Sequence, residues 1–81
     1  MDLIEMPIEQ ARCMKYTVGR LKYGGEQFVG DPLAELHDEL IDAMNYCSEA
    51  ISRGYQMGAM MAQLETICER VKAIWVTAHE G

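Results

Sequence analysis

Apolar residues recur along the chain at spacings of three and four. Ile8, Ala11, Met14, Val18 and Leu21 form a first stripe, and Pro7 stands ahead of it where a missing N–H costs nothing. Gly24-Gly25 ends that stripe, with Arg20 and Lys22 suited to the negative end of the helix dipole. The spacing predicts a helix over 7–23. A second stripe runs through Leu33, Leu36, Leu40, Met44, Cys47 and Ile51. Asp31-Pro32 reads as its N-cap and first residue, and Gly54 as the glycine just past its end. This second helix is expected over 32–53, a rod of roughly 33 Å. Met57, Met60 or Met61, Leu64, Cys68, Val71, Trp75 and Ala78 follow a near-heptad, which Ile67 and Ile74 widen, and predict a third helix over 55–78. The short turn at Gly54 makes the last two helices an antiparallel hairpin. The glycine-rich stretch before Asp31 is a loop, from which Phe28 and Val29 are expected to cover an end of the bundle. No window alternates as a strand does. The expected fold class is all-α: three helices with a long central one, completing a helical bundle by homo-oligomerisation.

Length decides how much one copy can do. The 81 residues, 49% hydrophobic and 25% charged, have the composition of a single folded domain. A chain this short buries only about 60–65% of its unfolded surface, so a lone core is marginal and a homodimer or tetramer is expected. Two-domain enzymes, Rossmann domains, TIM barrels and repeat arrays are too large to fit. The formal charge of −6 argues against direct nucleic-acid binding, which needs clustered Lys and Arg. No apolar run approaches the roughly 18 residues of a membrane span. The start, Met1-Asp2-Leu3-Ile4-Glu5, lacks the basic region and apolar run of a secretory signal. Cys13, Cys47 and Cys68 are widely spaced without a CxxC, and His37 and His79 complete no zinc set. Reduced thiols and a cytoplasmic location are the expectation.

The negative charge is concentrated on the second helix. Residues 31–53 carry Asp31, Glu35, Asp38, Glu39, Asp42 and Glu49 against Arg53 alone. Glu35, Asp38, Glu39 and Asp42 stand at i, i+3, i+4 and i+7, an arc of about 100° on one face. Tyr46 and Glu49 extend it by a turn. Glu35–Glu39 and Asp38–Asp42 are like-charge i,i+4 pairs, each destabilising by about 0.2–0.5 kcal/mol, and no lysine interleaves them. The arc has two readings. It is a solvated face opposite the apolar stripe, with Asp31 and Glu35 suiting the helix N-terminus. Alternatively a divalent cation, Mg²⁺ or Mn²⁺, offsets the four carboxylates.

The segment from Lys22-Tyr23-Gly24-Gly25 through Asp31-Pro32 to Glu39-Leu40-Ile41-Asp42 and Tyr46 resembles the all-α nucleoside triphosphate pyrophosphohydrolases of the MazG-like group, especially their short phage-borne relatives. The likeness spans residues 22–46 and centres on an ExxD motif, Glu39 to Asp42, followed by an aromatic residue. It implies a Mg²⁺-dependent cleavage between the α- and β-phosphates of a nucleotide, with release of pyrophosphate, in a dimer or tetramer of helical bundles. On that resemblance Glu39 and Asp42 lead the metal ligands, followed by Glu35 and Asp38. Lys15 and Lys22, with Arg12, would meet phosphates, and Tyr46 would stack on a base. The family's second motif, EExxE on the preceding helix, is missing here, where only Glu9 lies within the first helix.

Other chemistries lack their residues. No ExxH occurs for a di-iron site, the acids do not follow a calcium-loop pattern, and no nucleophilic triad is visible. The rival to the enzyme is a small acidic helical oligomer, phage-encoded as the resemblance implies, acting as a protein-interaction module.

Overall fold

The computed structural model describes residues 2–22 and 30–80, with side chains through Val18 in the first span. A 3-10 turn at Leu3–Glu5 leads into α1 (Ile8–Lys22), followed by α2 (Pro32–Ser52) and α3 (Gly58–Glu80). The fold is all-α, and no strand occurs among the described residues. The Gly24-Gly25 stop and the cover expected from Phe28 and Val29 lie outside the described residues.

Each helix boundary has a local cause. Asp31 is extended (φ −87°, ψ 107°), and its Oδ1 accepts from the N–H groups of Leu33 (3.0 Å) and Ala34 (3.4 Å). Pro32 then supplies a first residue with no N–H to satisfy. At the far end the chain reverses through Gly54, whose φ is +95°. The Tyr55 N–H reaches back to the Ala50 carbonyl (3.1 Å) and the Gly54 N–H to the Ile51 carbonyl (3.0 Å), the paired bonds of a Schellman ending. That ending holds Tyr55 outside any helix. Consequently α3 begins at Gly58 rather than at the expected residue 55, its first turn closed by the Met61 N–H on the Met57 carbonyl at 2.9 Å. Pro7 likewise lies one residue ahead of α1, where its carbonyl accepts from Ala11 (3.0 Å).

The hairpin of α2 and α3 carries the core. Its buried side chains are Cys47, Cys68 and Val71, with exposures of 3%, 5% and 7%. Leu33, His37, Leu40 and Met44 on α2 are half-buried around them, as are Met57 just ahead of α3 and Met61 and Leu64 on it. The α3 positions keep the 4-3 spacing expected from the sequence. On α2, however, the seam takes His37 where the apolar pattern suggested Leu36, and it leaves Leu36 and Ile51 exposed. The reason is geometric: 33, 37, 40, 44 and 47 repeat the same 4-3 alternation as α3, so residue 37 faces the partner helix whatever its polarity.

Much apolar surface stays open. On α1, Ile8, Met14 and Val18 are exposed. The accessible surface totals 7059 Å². A compact chain of 9.2 kDa exposes roughly 4,900 Å². The Cα radius of gyration is 15.4 Å, against about 11.7 Å for a compact domain of this length. No helix among the described residues is long and apolar enough to cross a membrane.

Candidate functional site

Three features of the hairpin bear on function: the acidic face of α2, a polar tie at its open end, and an apolar flank. The seam with α3 orients the first. With Leu33, Leu40 and Cys47 turned toward α3, 100° per residue carries Glu35, Asp38, Glu39 and Asp42 to the far side, and all four are exposed. Asp38 is the one of the four with an opposite partner, the His37 Nδ1 at 4.0 Å, and that pair attracts only when the imidazole is protonated. Further along, Glu49 is relieved by Arg53, whose Nη2 and Nε lie 3.1 and 3.2 Å from its Oε1. Glu35, Glu39 and Asp42 make no ion pair with the described residues.

Divalent metal binding needs several oxygens converging on one point. Among the described residues no group of three or more His, Cys, Asp or Glu is placed to hold a metal ion. The four carboxylates follow one another along a single helix face, and among the described residues they do not converge with a further ligand. The remaining expected residues are scattered. Lys15, with Arg12, lines a shallow hollow made by the N-terminal turn and α1. Tyr46 is exposed and lines an open groove between α2 and α3. The Lys22 side chain lies outside the described residues. The structure does not bring Lys15 and Tyr46 into one hollow.

The polar tie was not visible in the sequence. Besides capping α2 through Oδ1, Asp31 accepts at Oδ2 from the indole Nε1–H of Trp75, 2.7 Å away. The His79 ring stacks on Trp75, with centroids 4.0 Å apart and planes at 24°. Its Nδ1 lies 2.8 Å from the Trp75 carbonyl, which can only accept, so that nitrogen carries the proton. Its Nε2 is 4.0 Å from Asp31 Oδ2. The Trp75 bond, then the two backbone N–H groups and the nearby His79, hold the Asp31 carboxyl below its ordinary value of 3.8. One carboxylate thereby caps α2 and fastens it to the last turns of α3, 44 residues later. Sequence spacing had placed Asp31 at the cap and Trp75 on the stripe; only the antiparallel register joins them.

The apolar flank is the groove that Tyr46 borders. Ala43, Cys47 and Ala50 of α2 face Met57, just ahead of α3, and Met60, Leu64 and Ile67 of α3 across it. The opposite flank is different in kind. There His37, Ile41 and Met44 meet Glu65, Cys68, Glu69 and Lys72, so charge dominates its α3 side. No family model, curated protein or solved structure matches this chain.

Proposed function

We propose that this chain is a self-associating helical module whose assembled form displays the acidic face of α2 to a cationic partner. The observation that carries the reading is the surplus of surface. The chain exposes about 2,100 Å² beyond the expectation for its mass. Burying that much on each of two copies falls within the roughly 2,000–5,000 Å² of obligate homodimer interfaces. A second copy supplies the apolar contacts that one hairpin lacks. Asp38 and Asp42, on the side of α2 away from α3, remain available to a basic protein surface.

The test is the concentration dependence of thermal unfolding. A folded dimer that melts to two chains gains stability by mass action, and with about 0.7 kcal/mol of unfolding enthalpy per residue its Tm rises roughly 4–5 °C per tenfold increase in protein. A Tm independent of concentration refutes self-association.

One observation favours a second reading, Mg²⁺-dependent nucleotide pyrophosphohydrolysis in an assembled oligomer. Glu35, Glu39 and Asp42 are unrelieved by any described cation, a costly pattern for a plain solvated face. On this reading another copy contributes the ligands that the described residues of one chain do not bring together. Mg²⁺ or Mn²⁺ at millimolar concentration would then raise the Tm, and Asp42→Asn would abolish the rise. An unchanged Tm sinks the reading.

A further inference from the structure

Resting on the self-association proposed above, we infer that the second copy docks on the Tyr46 flank of the α2–α3 hairpin, about a two-fold axis parallel to the helices. The flank carries its own heptad, distinct from the seam. Leu36, Ala43 and Ala50 recur every seven residues on α2, and Met60, Ile67 and Ile74 on α3. In the antiparallel register Ala43 lies near Ile67 and Ala50 near Met60, and the same period carries the two stripes on to Leu36 and Ile74. Leu36, Met60, Ile67 and Ile74 remain 45%, 54%, 48% and 57% exposed. Small residues on one helix thus stand across from large ones on the other along most of the flank. Such a surface interdigitates with its own copy when α2 packs on the partner's α3.

Charge selects both the flank and the axis. The opposite flank is lined on α3 by Glu65, Glu69 and Lys72, which favour water. Beside the apolar flank, the α2 rim carries Glu35 and Glu39, and the α3 rim carries Gln63, Arg70 and Thr77. Packing α2 against the partner's α2 would bring two acidic rims together. An axis parallel to the helices sets each α2 rim against the partner's α3 rim and preserves height along the bundle. His37 lies level with Val71 and Lys72, and Ala43 with Leu64 and Ile67. Glu39 and Arg70 fall between those levels, so each Glu39 meets an Arg70 of the other copy. Arg70 makes no ion pair with the described residues of its own chain. The result is a four-helix bundle in which every neighbouring pair of helices is antiparallel, and α1 does not occupy the groove.

Sedimentation velocity on the full chain and its variants tests the assignment. Ile67→Glu is expected to convert the dimer to a monomer, and Ile41→Glu on the opposite flank to leave it dimeric. Charge reversals address the case in which Ile67→Glu fails to fold. Glu39→Arg and Arg70→Glu each weaken a dimer that contains the contact twice, by roughly fivefold or more, and the double reversal restores it. A dimer indifferent to Ile67→Glu, or a double reversal no tighter than the single ones, overturns the assignment while self-association stands. A wild-type chain that is monomeric at micromolar concentration removes both, and leaves the groove to α1 of the same chain.

Discussion

Gly54 should be the most sensitive exposed position in the hairpin. Its φ of +95° is a conformation that residues with a Cβ rarely adopt, and the Schellman bonds at its flanks depend on it. A Cβ built there meets nothing within 4 Å, so Gly54→Ala introduces no clash and its cost is backbone strain alone. That strain amounts to about 1–2 kcal/mol for a residue forced to positive φ. For a domain of this size each kcal/mol lowers the Tm by roughly 4–8 °C, so the expected drop is about 4–16 °C. Circular dichroism melts of Gly54→Ala and Gly54→Asn measure it. Both should keep native helicity at low temperature, and Asn, the next most tolerant residue at such an ending, should lose less. An alanine variant as stable as the parent would refute the account of how α2 ends and α3 turns back.

Two further predictions concern the ends and the middle of the hairpin. The Asp31 carboxyl is held below 3.8 when folded, so the folded state binds fewer protons there than the unfolded chain. Its stabilisation is complete above the unfolded value and is lost as pH falls through the folded one. Asp31→Asn retains a capping side chain but not the charge, and should flatten the fall in Tm below about pH 4; an acid limb identical to that of the parent would contradict the tie to Trp75. Thiol labelling reports the seam: Cys13 is exposed while Cys47 and Cys68 are buried. One thiol per chain should react rapidly under native conditions and three after denaturation, and rapid reaction of all three in the folded protein would mean that the seam is not closed.

The helices were legible because periodicity and capping agree. Asp31-Pro32 and Gly54 bracket α2 in the sequence and in the structure within a residue. The start of α3 was not legible, because the apolar stripe already begins at Met57, ahead of the first helical residue, and the backbone bond that holds Tyr55 at the end of α2 leaves no hydropathic mark. Hydropathy also chose Leu36 over His37 for the seam. A single-helix pattern shows which residues are apolar, but the spacing of the partner helix decides which of them face it. The same limit hid the Asp31–Trp75–His79 tie, which joins residues 44 or more positions apart. The acidic arc was visible as a charge pattern, and the structure adds that its carboxylates lie on the outer side of α2 without converging among the described residues.

The flank heptad was half-seen. In the sequence Ile67 and Ile74 only widen the α3 stripe, whereas in the fold they form with Met60 a second line turned away from the seam. A helix that presents two apolar lines has two neighbours to satisfy, and the hairpin supplies one.

The central claim is that one copy is an incomplete fold. Sedimentation equilibrium of the full chain in moderate salt measures this directly. The account predicts a mass at least twice the chain's 9.2 kDa that persists on dilution into the micromolar range. A single species at 9.2 kDa, helical and cooperatively folded, would contradict it.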